Sequence, residues 1–200
     1  MAIKIGIDIM GGDFAPEATV HGAILAQAVF KDDASTVLIG DEATILNTLK
    51  KIGADANQFE IIHASQNIEM YEHPTKALVQ KPDSSISVGL KLLKEDKIQA
   101  FSSTGNTGAA LVGSMQTIRA IQGVIRPCIT SVLPKENGGI SLILDVGTNA
   151  DCKPEMMNQF AELGAIFVVF LAALETEWDA RFAWRAGWDT AQGLQLDSLA

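Results

Sequence analysis

Three times in this chain an apolar run of strand length ends on a small or acidic residue, and a glycine-bearing polar turn then opens a stretch of helical periodicity. The turns are Asp8 to Asp13, Ser103 to Gly108 and Asp145 to Asp151. Continuous or alternating apolar runs bury as strands, whereas a 3.6-residue period buries one helix face. Their alternation over residues 1–164 predicts βα units around a largely parallel sheet, an α/β fold.

The other elements follow the same logic. Ile3–Asp8, Thr36–Ile39 and Phe59–Ile62 read as strands, as do the short Gln99–Ser102 and the later runs Cys128–Leu133 and Ile140–Val146. Pro16–Phe30 reads as a helix with Ala18, Ile24, Leu25, Ala28 and Val29 toward the core. Asp41 is a good N-cap for a helix stopped by Gly53. Further helices are expected from Ser84 or Ser85 to about Asp96, from Ala109 onward, and from Pro154. Between Ala64 and Asp83 no period is sustained, and Pro74 and Pro82 punctuate an irregular stretch.

Composition excludes several classes. With 48% hydrophobic and 20% charged residues among 200, the chain is globular rather than disordered or low-complexity. Its 24 acidic and 15 basic side chains give a formal charge of −9, which disfavours nucleic acid as a partner because a polyanion needs a dense basic surface. Cys128 and Cys152 cannot build a disulfide framework, and the opening residues do not read as a signal peptide. The expected compartment is the reducing cytoplasm. The longest apolar stretch, the 12 residues Leu163–Leu174, falls short of the ~20 that span a bilayer.

In open α/β sheets ligands bind at the carboxyl ends of the strands, so the three turns are expected along one edge. Ser103 to Gly108 is the most informative of them. Gly105 permits close approach to the backbone, the amides sit at a helix N-terminus whose dipole favours an anion, and Ser103, Thr104 and Thr107 add hydroxyls. Phosphate is the simplest occupant. The alternative is a tight strand-to-helix connection that uses glycine for geometry alone. Asp8, Asp13, Asp145 and Asp151 would repel phosphate unless they bind Mg²⁺, accept protons or organise backbone amides. Asp13 and Asp151 read equally well as turn or cap residues. Lys153 is the best-placed cation for an anionic ligand, or else a solvated loop lysine.

Other chemistries find less support. There is no G-x-x-x-x-G-K-[ST] and no G-x-G-x-x-G after the first strand, so Asp41 is more simply a helix cap than a ribose-binding carboxylate. Neither cysteine has a histidine nearby in sequence, which makes Cys128 a small core residue on a strand and Cys152 a turn residue. His21, His63 and His73 lack metal-ligand spacing and are expected to be structural, so no metal centre is predicted. Lys91, Lys94 and Lys97 form a stripe near a helix C-terminus: a solvated face, or a docking patch for an acidic carrier protein.

Four segments, in order, resemble the signatures of the phosphate acyltransferase PlsX family. They are Ile5-Gly6-Ile7-Asp8-Ile9-Met10-Gly11-Gly12-Asp13-Phe14-Ala15-Pro16, then Ser103-Thr104-Gly105-Asn106-Thr107-Gly108-Ala109, then Arg126-Pro127, and finally Leu144 to Asp151 with Lys153-Pro154-Glu155. Thr148 stands where that family more often has Ala. The resemblance implies a cytoplasmic enzyme that moves a fatty acyl group from acyl carrier protein to inorganic phosphate, giving an acyl phosphate for glycerophospholipid synthesis. It also implies a three-layer α/β/α fold akin to isocitrate and isopropylmalate dehydrogenases and to phosphotransacetylase, a homodimer, and peripheral contact with the membrane. Phosphate dianion is a competent nucleophile near neutral pH, so neither a covalent Ser or Cys nor a cofactor is expected. On this basis Ser103, Thr104, Gly105 and Thr107 hold phosphate, beside Asp8, Gly11, Gly12, Asp13, Asp145 and Asp151. Asn106 and Asn149 would contact the carbonyl or its oxyanion, and Lys153 would balance charge.

Members of that family are much longer, and residues 165–200 depart from the pattern. All three Trp lie there, no Lys follows Lys153, and Trp178 to Arg185 sets large aromatics between charges at no consistent period. This tail reads as a segment of different source: a shifted frame, a sequencing error or a lineage-specific addition. Residues 1–164 then form a truncated α/β domain whose uncovered sheet edge and apolar faces predict poor folding and little activity. Two competing readings are a phosphate-binding fragment without turnover and a dehydrogenase on the related fold, the latter disfavoured by the missing glycine fingerprint.

Overall fold

The computed structural model describes residues 3–30, 32–136, 140–147, 149 and 151–177. Strands β1 (Ile3–Asp8), β2 (Ala34–Gly40), β3 (Glu60–His63) and β4 (Ala100–Ser102) form one sheet in the order β3-β2-β1-β4, parallel throughout. β2 is buried on both faces because its residues serve two layers in alternation. Leu38 packs with Ile9, Val20, Ala23, Ile45 and Leu49, under helices α1 (Glu17–Phe30) and α2 (Glu42–Ile52). Val37 and Ile39 face the other way, toward Ile98 and the Val88, Leu92 and Leu93 side chains of α4 (Ser85–Lys94). A third cluster joins Ile68, Ala77, Ile86, Leu90 and Ala109, and so ties α4 to α3 (Pro74–Gln80) and α5 (Thr107–Thr117). Helices on both faces of a parallel sheet make this an α/β fold, as expected.

The expected caps are in place. The Asp41 side chain accepts from Thr44 N at 2.9 Å, and Gly53 ends α2 in the left-handed region at φ 77°. Ser84 caps α4 by accepting from Ser87 N at 3.3 Å.

Two expectations within this part are corrected. In α1, Val20 and Ala23 are buried and Ile24 is half-buried, whereas Ala18, Leu25, Ala28 and Val29 are not, Leu25 being 67% exposed and Val29 47%. Small and apolar residues ring most of that helix, so its pattern selects no face, and the fit of Val20 and Ala23 against Ile9 and Leu38 decides. The stretch from Ala64 to Asp83 is not wholly irregular, because Pro74 occupies the first turn of α3, where its missing N–H is harmless.

The chain divides into two compact units, residues 1–119 and 120–200. The second contains β5 (Thr130–Pro134), β6 (Ile140–Leu144) and α6 (Pro154–Glu177). β5 and β6 pair antiparallel as a separate two-stranded sheet, with Val132 opposite Leu142. The third turn therefore leaves an antiparallel strand, which corrects the expectation that all three follow parallel strands along a single edge. Gly164 lets α6 lie against β6, since a Cβ there would stand 2.9 Å from Leu144 Cδ1. Among the described residues no helix is long and apolar enough to cross a membrane. Thr148 and the Trp-rich segment from Trp178 onward fall outside the described residues.

Candidate functional site

β1 and β4 are neighbours in register, Ile7 opposite Ser102, so their carboxyl ends bring two of the predicted turns together. Asp8 is the hub. Its carboxylate is buried, with Oδ1 accepting from Met10 N at 3.0 Å and Gly11 N at 3.1 Å, and Oδ2 accepting from Ser103 Oγ at 2.7 Å. The carboxylate thus organises backbone amides and the neighbouring hydroxyl, one of the roles open to it. Thr104 Oγ1 donates to the Gly11 carbonyl at 2.8 Å, and Gly105 N donates to Ser103 Oγ at 3.2 Å. The turns meet backbone to backbone: a Cβ on Gly105 would lie 2.3 Å from Gly11 Cα and 2.6 Å from Gly12 N. Gly12 itself has φ 97°, a conformation that side chains resist.

Asn106 sits at the mouth of α5 with φ 31°, only 4% exposed, and its Oδ1 caps the helix by accepting from Ala109 N at 2.9 Å. Its side-chain amide donates to two main-chain carbonyls, Glu69 O at 2.9 Å and Glu72 O at 3.0 Å. Contact with a substrate carbonyl would therefore require one of these bonds to open. The Asn106 N–H faces Met70 Sδ at 3.0 Å. Thr107 and Gly108 follow in the first turn, where amides have no intrahelical acceptor and the helix dipole favours an anion. Ser103 is half-buried, while Thr104, Thr107 and Asp13 are exposed.

The loop that Asn106 holds has no counterpart among the sequence expectations. Lys81 Nζ pairs with Glu72 at 2.5 Å and donates to Asn67 O at 2.6 Å, and Glu72 Oε2 also accepts from Glu69 N at 2.7 Å. The Lys81 bond, then that of the Glu69 amide, holds the Glu72 carboxyl below its ordinary value. The signal available in sequence is slight: the chain's single tyrosine, Tyr71, just before Pro74.

In the second unit, Asp145 adopts φ 59°, and its Oδ1 accepts from Asn149 N at 3.2 Å and Asn149 Nδ2 at 2.7 Å. Arg126 Nη1 donates to Asn149 Oδ1 at 3.5 Å, a pairing that the motif containing Arg126 does not by itself disclose. Cys152 Sγ lies 3.4 Å from Asp145 Oδ2. Burial, followed by that bond, pushes the Cys152 thiol up, and burial with the Asp145 charge does the same to Cys128, half-buried just before β5. Raised thiols are poor nucleophiles; Cys152 lies in a turn as expected, whereas Cys128 is half-buried and precedes β5 rather than sitting in the core on a strand. Asp151 and Lys153 are exposed, and the Lys153 carbonyl accepts from Met156 N at 3.0 Å as α6 begins. Among the described residues no three His, Cys, Asp or Glu side chains converge to hold a metal.

These features place the chain in a known structural class. It resembles a phosphotransacetylase from Streptococcus pyogenes at TM-score 0.57, with 19% identity over 80% of this chain and 51% of that one. The EutD phosphotransacetylase from Staphylococcus aureus gives TM-score 0.53, also at 19% identity, over 76% and 48% of the two chains. At such identity the likeness concerns the fold alone. Residues 3–174 match the family described as "Fatty acid synthesis protein", and the chain belongs to that family. It is 42% identical over 166 residues to the phosphate acyltransferase of Dictyoglomus turgidum, covering 83% of this chain and 49% of the relative. The phosphate acyltransferase of Fusobacterium nucleatum is 43% identical, over 83% of this chain and 50% of its own. The chain thus spans about half the length of the curated relatives it matches.

Proposed function

We propose that this chain is the amino-terminal part of an acyltransferase that moves a fatty acyl group from the thioester of acyl carrier protein to inorganic phosphate. The observation that carries the reading is the junction of the Asp8–Asp13 and Ser103–Gly108 turns, in a chain about 40% identical to phosphate acyltransferases. A phosphate oxygen attacks the thioester carbonyl, a C–O bond forms, and collapse of the tetrahedral oxyanion breaks the C–S bond. The carrier thiolate leaves, and the acyl phosphate is the product.

Such a reaction needs position and charge rather than a covalent intermediate. Thr107 and Gly108 amides, with the Thr107 hydroxyl, are the proposed phosphate donors; the Ser103 and Thr104 hydroxyls, which donate to Asp8 Oδ2 and the Gly11 carbonyl, would join them only by exchanging those bonds. Asp8, Gly11, Gly12 and Gly105 set their geometry. Asn106 is proposed to act through the loop it holds. In the second unit, Asn149 and Asp145 order their own turn, beside which Lys153 carries a positive charge. Lys91 and Lys94, both exposed, are the cations offered to an acidic carrier. A homodimer, a cytoplasmic site and peripheral membrane contact belong to the same proposal for the longer protein.

The test is incubation with acyl carrier protein thioester and phosphate, followed by trapping with hydroxylamine. Acyl hydroxamate that requires both substrates supports the reading. The second reading is a phosphate-binding fragment without turnover; phosphate binding without hydroxamate selects it.

A further inference from the structure

The loop beside the phosphate turn is tied down more firmly than its outward side chains require. Within residues 67–81, Glu72 accepts from both Lys81 Nζ and Glu69 N, Lys81 also reaches Asn67 O, and Asn106 holds Glu69 O and Glu72 O from beneath. These bonds leave Met70 48% exposed and Tyr71 87% exposed. Met70 is not remote from the chemistry, because its Sδ lies 3.0 Å from Asn106 N, one residue before the first-turn amide of Thr107. Pro74 closes the same corner, since a Cβ on Gly108 would stand 2.5 Å from Pro74 Cγ. An anion on the Thr107 and Gly108 amides would lie near the Met70 thioether, which Tyr71 follows in the chain, while the two carboxylates that flank this pair, Glu69 and Glu72, accept from Asn67 Nδ2 and Lys81 Nζ.

We infer that Met70 and Tyr71 form the wall against which the first methylenes of the acyl chain lie, and that Asn106 and the Lys81–Glu72 pair are positioning residues that hold this wall against the phosphate turn. The inference rests on the proposed phosphate site and adds the substrate contact that selects for an alkyl chain. Burial of methylenes against a preformed apolar wall gives affinity without an ordering cost for the loop. Asn106 then acts through the loop and the helix cap rather than by touching the carbonyl.

Tyr71 is the chain's single tyrosine, so fluorotyrosine incorporation gives one fluorine resonance that reports this wall. The full chain is titrated with octylphosphonate and with methylphosphonate, the first carrying an alkyl chain and the second only the anion. Phosphorus NMR reports binding of each, independently of Tyr71. The expected result is a saturable shift of the Tyr71 resonance with octylphosphonate only, and tighter binding of the octyl compound by about tenfold or more, since each buried methylene contributes roughly a factor of four. Met70→Ser and Lys81→Met should each shrink the octyl-to-methyl affinity ratio roughly four- to sixteenfold, as expected when one or two methylenes return to water. Lys81→Met matters because it acts from the loop's other end and leaves the Asn106 cap of α5 untouched.

Equal affinity for the two phosphonates, or a resonance that moves with methylphosphonate alone, overturns the wall while leaving the phosphate site standing. Binding of neither compound overturns the phosphate site and the wall with it.

Discussion

Gly105 and Gly22 place opposite demands on an added methyl group. Around Gly105 a Cβ meets the Gly11 backbone at 2.3 Å, and backbone cannot swing aside as a side-chain end can. Gly105→Ala should cost about 1–3 kcal/mol, as overpacking does, and should separate the turns enough to weaken phosphate binding. Gly22 lies inside α1 with nothing within 4 Å of its added Cβ, so Gly22→Ala should stabilise by about 0.5–1 kcal/mol. Urea unfolding of the two variants checks both signs in one experiment. The glycine turns were legible in the sequence as ligand sites or tight connections, and the structure gives them a third use, contact between two turns. That use could not be read locally: Thr104 and Gly11 are 93 residues apart, and Ser103 and Asp8 are 95. Asn106 illustrates the same limit, because the carbonyls it holds lie 37 and 34 residues earlier.

Elements with strong end signals were legible, and those defined by their neighbours were not. Asp41 and Gly53 bound α2 as expected because capping is a local event between a side chain and amides three residues on. The orientation of β5 and β6 and the buried face of α1 depended on partners that periodicity does not name. The α2 cap makes a pH prediction. The Thr44 hydroxyl, then the Thr44 amide, lowers the Asp41 carboxyl below 3.8, its ordinary value. A carboxyl depressed in the folded state stabilises it fully above the unfolded value and loses that contribution as pH falls through the folded one. Asp41→Ala should therefore lower Tm at pH 7 and have progressively less effect as pH drops below about 4, the normal Asp range. Melting both proteins across that range checks it, and an equal Tm difference at every pH would contradict the assigned cause. Glu72 has the same sign through Lys81, so the loop carrying Met70 and Tyr71 should loosen on acidification, seen as narrowing of the Tyr71 fluorine line.

At the scale of the molecule, the first unit supplies its own core. Its three apolar clusters draw only on residues 7–109, the sheet's four strands all fall before Ser103, and the paired turns lie between Asp8 and Gly108. A fragment ending at Arg119 keeps every one of these contacts, and should unfold cooperatively although both edge strands, β3 with four residues and β4 with three, are short. Short edges also limit pairing with other chains, so the fragment should remain monodisperse at micromolar concentration. All three Trp lie beyond residue 119, which leaves Tyr71 as the fragment's principal fluorophore. Circular dichroism then follows the sheet and helices while fluorescence follows the loop bound to Asn106. Coincident urea transitions would mean that the loop and the sheet are one cooperative body, as expected if Asn106 couples the loop to α5 and α5 to the core through Ala109. An earlier fluorescence transition would mean that the loop opens while the sheet stands, and that its hold on the turn is weaker than the bonds from Asn106 and Lys81 imply.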